Sequence, residues 1–183
     1  LVPISVYNKT KMVAERIFLS YSDQMQIHCI RPATVCGFSP RMRMDVSVNN
    51  LTFQALRKKK IKVFGGKQIR PNININDLSR IFEHFIYKKN INTGIYNAGF
   101  ENLSIADIAK RISKFTGAKI KIIKNSNDPR TYRLNSEKLL KTGFIRKFSV
   151  DHAITEIIHK FAKNKIKDND KYYTVKWMKK LGF

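Results

Sequence analysis

Acidic side chains are scarce in this sequence. Asp and Glu together number 13 against 36 Lys and Arg, a formal charge of +23 over 183 residues. Such an excess taken alone favours a polyanionic partner. The lysines, however, are spread over every segment among many Ile and Asn, the bias that an AT-rich coding sequence imposes on any fold. A nucleic-acid face would need ordered basic side chains interleaved with aromatics. Here Phe18, Phe53, Phe64 and Phe82 fall at core-type positions, so nucleic acid is not the expected partner. Cysteine is also short. Cys29 and Cys36 are too few for a disulfide framework or a thiolate metal site, and a reducing cytoplasm is the expected home. His28, His84, His152 and His159 show no ligand spacing with cysteines or carboxylates, so no metal is expected. No apolar run approaches the roughly 18 residues of a membrane span. Leu1 to Ser5 lack a basic n-region and an apolar h-region, which excludes a signal peptide there. They also lack an initiator Met, which suggests a chain cut from something longer. With 43% hydrophobic and 11% aromatic residues, the chain has ample material for a packed core.

The most informative stretch is Tyr7-Asn8-Lys9-Thr10-Lys11, running into Val13, Ala14, Ile17 and Phe18 at helical spacing. Tyr7 and Lys11, four apart, share a helix face. A phenol, with a pKa of about 10, is a poor base near neutrality. A neighbouring ammonium favours the phenolate and lowers that pKa, which makes acid–base chemistry accessible.

The remainder reads as alternating strands and helices. Gln26 to Arg31, closed by Pro32, reads as a buried strand of parallel type, with Ala33 to Gly37 leaving its carboxyl end. If that strand lacks sheet neighbours on one side, its edge invites aggregation. Val46 to Leu56 form an amphipathic helix carrying Asn49, Asn50, Thr52 and Gln54, with Lys58, Lys59 and Lys60 at its cation-favouring end. Ile61 to Phe64 alternate as a strand, Gly65-Gly66 turns, and Gln68 to Arg70 start a hairpin return that Ile73 and Ile75 continue. Asn76-Asp77 caps a helix from Leu78 to Tyr87. Gly94 to Ala98 is a further strand. Ser104 caps a helix burying Ile105, Ile108, Ala109 and Ile112 and ending at Gly117. Lys119 to Ile123 is a strand and Asn125 to Pro129 a polar loop. Helices start at Ser136, stopped by Gly143, and at Ser149, running through Phe161. The lysine-rich tail with Trp177 reads as a mobile or loosely docked helix.

The order of six motifs resembles one family. These are Tyr7-x-x-x-Lys11; Arg31-Pro32-Ala33-Thr34-Val35-Cys36-Gly37; Phe64-Gly65-Gly66 through Arg70 to Asp77; Tyr96-Asn97-Ala98-Gly99 with Ser104-Ile105; Asp128-Pro129-Arg130-x-Tyr132; and Lys138-Leu139 to Gly143-Phe144. Across about residues 1 to 160 they resemble the extended short-chain dehydrogenase/reductases, in particular the NAD-dependent epimerase/dehydratases of nucleotide sugars. The fold implied is α/β, the C-terminal part of a Rossmann-like extended fold. It would comprise residues 1–37 closing the NAD-binding domain, 38–163 with the substrate-binding lobe, and a basic tail from 164 to 183.

The resemblance implies roles. Tyr7 would be the acid or base on a sugar hydroxyl, and Lys11 would lower its pKa and hydrogen-bond the nicotinamide ribose of NAD or NADP. Pro32, Ala33, Thr34 and Val35 would flank the nicotinamide. Arg70 and Arg130 would hold the diphosphate of a nucleotide-diphosphate sugar, one of Asn49 and Asn50 would supply a substrate-binding amide, and Arg41 and Arg43 are weaker candidates. Asn74 stands where the family often has His, and Asn76 where some members have Asp; neither is assigned a role. The helix of Tyr7 and Lys11 commonly pairs in the family's homodimers. Such enzymes also carry a Gly-x-x-Gly-x-x-Gly turn for the pyrophosphate. The eight glycines here nowhere take that arrangement, and Ser5 does not match the family's upstream catalytic Ser or Thr. The chain is therefore expected to be catalytically silent alone. The competing expectations are a basic nucleic-acid-binding module and a non-catalytic association module.

Overall fold

The computed structural model describes residues 5–124 and 130–182. The polar loop expected at 125–129, including Asp128 and Pro129, lies outside the described residues. In chain order the elements are α1 (Val6–Leu19), β1 (His28–Pro32), β2 (Thr34–Cys36), α2 (Ser47–Lys58), β3 (Lys60–Phe64), β4 (Ile69–Asn74) and α3 (Ile75–Tyr87). There follow β5 (Gly94–Ala98), β6 (Glu101–Ser104), α4 (Ile105–Thr116), β7 (Lys119–Ile123), α5 (Glu137–Leu140), α6 (Val150–Ala162) and α7 (Thr174–Lys180).

Among the described residues the strands form three small sheets. β1 pairs parallel with β5, from His28 opposite Gly94 to Pro32 opposite Ala98. β2 pairs parallel with β4, and β4 pairs antiparallel with β6. β3 pairs parallel with β7. Parallel partners far apart in sequence require helical crossovers, and α2, α3 and α4 supply them. Gly65-Gly66 therefore does not close a hairpin. The turn carries the chain out of one sheet and into another, with Gly66 at φ +104°, where Ala106 and Val63 leave only 3.3 Å for a Cβ. Nor does the alternation continue to Ile75. β4 is buried on both faces from Pro71 to Asn74, and Asn74, not Asn76, caps α3 by accepting the Asn76 N–H at 2.9 Å.

Most caps follow the sequence. Ser104 accepts the Asp107 N–H at 3.0 Å, and α4 ends at Gly117 in the left-handed conformation. Ser149 and His152 form a reciprocal capping box at the start of α6. α2, α4 and α6 press Val48, Leu51, Ile108, Ile112 and Ile154 onto Ile61 and Val63 of β3. A second cluster joins Ile73, Ile81, Tyr96, Leu139 and Phe144, and a third joins Met42, Met44, Phe53, Ile157 and Ile166.

Two expectations need correction. Of the four aromatics placed in the core, only Phe53 is buried, while Phe18, Phe64 and Phe82 are each at least half exposed. Phe18 lies on α1, which buries no residue, and Phe64 points to the exposed face of an alternating strand. The tail, conversely, is anchored. Ile166, Tyr172 and Tyr173 pack on the third cluster and Met44 N–H donates to Tyr172 O at 2.8 Å, although α7 itself buries nothing.

His84 gives the fold a pH dependence. Thr142 Oγ1 donates to Leu139 O at 2.7 Å, so it accepts from His84 Nε2, 2.8 Å away. Burial, then the Lys88 and Arg80 charges, hold this imidazole below its ordinary 6.5 against the raising effect of Thr142. The unfolded chain then takes up the proton more readily than the fold. Stability is complete above the ordinary value and falls as pH drops below it. Urea melts at about pH 7.5 and about pH 5.5 are expected to show that loss, with His84→Gln reducing it. An identical pH slope in that variant would place the titration elsewhere.

Candidate active site

Two clefts contain most of the side chains singled out by the sequence. The first, about 770 Å³, lies between α1 and β1. Tyr7, Lys11, Glu15 and Phe18 form one wall, and Ile27 to Pro32 the other. Ser5 caps α1 by accepting the Asn8 N–H at 3.2 Å, which puts Tyr7 in the first turn with its side chain largely exposed. Lys11 Nζ stands 5.5 Å from the Tyr7 ring centroid, in cation–π range, so a cation sits one turn from the phenol. With no buried residue, α1 depends on a forked ion pair to β1. Arg31 Nε donates to Glu15 Oε2 at 2.7 Å and Nη2 to Oε1 at 2.5 Å. Among the described strands β1 is hydrogen-bonded on one side only, to β5. Burial, then Glu15, raise the Cys29 thiol in this cleft, and burial pushes Cys36 up to about 12, so neither is a ready nucleophile.

The second cleft, about 480 Å³, is polar. α2 supplies Ser47, Asn50 and Gln54, β3 supplies Lys62 and Phe64, and Gln68, Arg70, Arg130 and Tyr132 complete the opposite side with Thr34 and Asp45. Local hydrogen bonds bring Arg130 there. Residues 130–132 run along the start of β4, with Ile69 N–H donating to Thr131 Oγ1 at 3.1 Å and Tyr132 N–H to Ile69 O at 3.4 Å. Arg70 Nη1 donates to Ile69 O at 3.0 Å and to Arg130 O, and its guanidinium lies 5.9 Å from the Tyr132 ring. The acidic member, Asp45, is neutralised. Burial acts to raise its carboxyl, but the forked Arg43 contact at 2.8 and 3.1 Å and the Thr174 N–H hold it below the ordinary value. Lys62, Arg70 and Arg130 are the basic side chains of this lining.

Of the four predicted substrate residues, Asn50, Arg70 and Arg130 converge and Asn49 does not. Asn49 is buried with both ends in use, its Oδ1 accepting Gly37 N–H at 3.0 Å and its Nδ2 donating to Arg43 O at 2.9 Å. It braces a turn in which Gly37 has φ +114°, where a Cβ would meet Ile75 Cγ2 at 2.9 Å. The Pro32–Val35 segment divides. Pro32 lines the first cleft and Thr34 the second, while Ala33 and Val35 pack against the second core cluster. Arg43 is committed to Asp45, and Arg41 lines neither cleft. Gln54, Lys62 and Gln68 join the cleft without being singled out by the sequence; the one signal there is Gln54, four after Asn50 on the same helix. Among the described residues no cluster of His, Cys, Asp and Glu could hold a metal, and no helix is long and apolar enough to cross a membrane.

Parallel strand pairs with helical crossovers, beside a cleft lined by amide and guanidinium donors, define a Rossmann-like α/β protein. The chain belongs to the NAD-dependent epimerase/dehydratase family, whose model matches residues 1–99. It is similar to the trifunctional UDP-glucose 4,6-dehydratase/UDP-4-keto-6-deoxy-D-glucose 3,5-epimerase/UDP-4-keto-L-rhamnose-reductase RHM3 of Arabidopsis thaliana, 24% identical over 172 residues. That match covers 90% of this chain and 26% of the Arabidopsis protein. A UDP-glucuronic acid 4-epimerase mutant of Bacillus cereus, solved with UDP-4-deoxy-4-fluoro-glucuronic acid and NAD, is 28% identical with a TM-score of 0.72 over 90% of this chain and 55% of its own. dTDP-glucose 4,6-dehydratase of Bacillus anthracis with NAD gives a TM-score of 0.76 at 21% identity, covering 96% of this chain and 56% of its own. The chain thus spans about a quarter of the curated relative and just over half of each solved one.

The residues present fit one end of a dinucleotide. A phenol and an ammonium share a cleft with Ile27, Ile30 and Phe18, a donor-plus-apolar lining suited to a nicotinamide and its ribose. None of the eight glycines builds the pyrophosphate turn.

Proposed function

We propose that the chain carries the substrate-binding and acid–base half of an NAD-dependent nucleotide-sugar epimerase or dehydratase. The carrying observation is the convergence of Asn50, Arg70 and Arg130, from three separate segments, on one polar cleft. Two guanidiniums and an amide donor suit the oxygens of a diphosphate through forked, charge-assisted hydrogen bonds. The sugar would extend past Thr34 towards Pro32, which stands two residues earlier in the chain and lines the cleft holding Tyr7 and Lys11. Tyr7 would take or return the proton of a sugar hydroxyl, and Lys11 would supply the charge that makes the phenolate accessible. Tyr7, Lys11 and the Pro32–Thr34 junction would hold the nicotinamide end of NAD, which supplies hydride acceptance when bound.

Because no described residue builds a pyrophosphate seat, the chain itself is expected to bind UDP without turning substrate over. Calorimetry should find saturable UDP binding and much weaker UMP binding, and proton NMR of mixtures of NAD with UDP-sugars should show no epimerised or dehydrated sugar. Turnover by these 183 residues would contradict the division of labour. Equal affinity for UMP and UDP would remove the diphosphate from the account.

A further inference from the structure

Asn50 carries one acceptor and one donor group, and only the donor end suits a diphosphate. Which end faces the cleft is decided by its neighbours. Lys62 N–H, a backbone donor that cannot reverse its role, donates to Gln54 Oε1 at 3.4 Å. That contact fixes the Gln54 amide with Nε2 towards α2, where it donates to Asn50 Oδ1. Asn50 is one helical turn before Gln54, the spacing at which such side-chain pairs form. With Oδ1 taken, Nδ2 remains for the cleft, and among the described residues it has no protein acceptor. The chain of donors runs from β3 through Gln54 to Asn50.

We infer that Gln54 is a positioning residue which sets the polarity of the Asn50 amide, so that the cleft presents an N–H donor and not a carbonyl oxygen to a nucleoside diphosphate. The inference rests on the proposed diphosphate reading of this cleft. It predicts a reversal on substitution. In Gln54→Glu both carboxylate oxygens are acceptors, one for Lys62 N–H and one facing Asn50. The Asn50 amide must then turn to donate to the introduced carboxylate, leaving Oδ1 towards the phosphates.

UDP binding to the full chain is measured by calorimetry for wild type, N50A, Q54E, Q54L and the N50A/Q54E double variant, with thermal melts confirming folding. N50A and Q54E are each expected to weaken UDP about ten-fold, and Q54L, which frees the amide without reversing it, about two- to five-fold. In the N50A background Q54E should cost less than about two-fold, because its effect passes through Asn50. An equal cost in both backgrounds would show that the introduced carboxylate acts only by its charge and would overturn the inference. So would a Q54E variant binding UDP like wild type. A second readout needs no nucleotide. In two-dimensional amide NMR the Asn50 Nδ2 protons of the free protein should move downfield in Q54E, as they gain an acceptor. Unchanged signals overturn the polarity argument. If those signals move but N50A leaves UDP binding intact, the orientation stands, the diphosphate reading fails, and the positioning role in recognition fails with it.

Discussion

Replacing Arg70 and Arg130 together by alanine is expected to abolish measurable UDP binding while leaving the chain folded. Each charge-assisted hydrogen bond to a phosphate contributes about 1.5–3 kcal/mol. Loss of both guanidiniums should therefore weaken binding by at least about a hundred-fold. The single variants should not be equal. Arg70 Nη1 also donates to Arg130 O, and the Arg70 guanidinium lies against Tyr132, so it braces the segment that delivers Arg130. R70A should remove one phosphate contact and loosen the other, whereas R130A leaves that brace in place. R70K keeps the charge but loses the fork, and should recover only part of the loss. Calorimetry on the four variants checks the ranking; R130A weaker than R70A would mean that the brace contributes nothing to recognition.

The largest effect on stability is expected at Asp77. Its side chain is fully buried on α3, and its carboxylate accepts Lys147 N–H at 3.1 Å, Phe148 N–H at 2.9 Å and Arg80 Nη1 at 2.6 Å. These bonds tie the segment before α6 to α3 and leave Ser149 placed to cap α6. Asp77→Ala would remove the acceptor of two backbone N–H groups and leave the Arg80 cation without its carboxylate, a loss of about 3 kcal/mol. For a chain of this size that is a fall in Tm of roughly 6–12 °C. Asp77→Asn should lie between, since its amide can accept only from one side. A melt of the alanine variant within a degree or so of wild type would show that water replaces the lost acceptor.

The helices are legible in the sequence because their signals are local. Ser104 and Ser149 as caps, Gly117 as a stop and the apolar spacing of Ile108, Ala109 and Ile112 all lie within a few residues of the structure they specify. Sheet partnership is not local. Ile61 to Phe64 alternate as they would in a hairpin, yet their partner is β7, delivered only after α3 and α4 have folded over. β4 lies between β2 and β6 in another sheet, and nothing local announces it: Pro71 lacks the N–H of a ladder and by itself argues for an edge, while Asn72 and Asn74 are polar although buried. The site is readable as motifs, but the choice between Asn49 and Asn50 is not. Adjacent helix positions differ by about 100° in direction, so one amide turns inward to brace Gly37 and the other lines the cleft. The exposure of Phe18, Phe64 and Phe82 is not legible either, because apolar spacing marks a face without saying whether anything covers it.

The most direct test of the account is a crystal structure of the chain grown with UDP. The diphosphate is expected between Arg70 and Arg130, within hydrogen-bond distance of Asn50 Nδ2, with the terminal phosphate directed past Thr34. UDP bound in the cleft between α1 and β1, or on the lysine-rich surface away from Arg70 and Arg130, would contradict it.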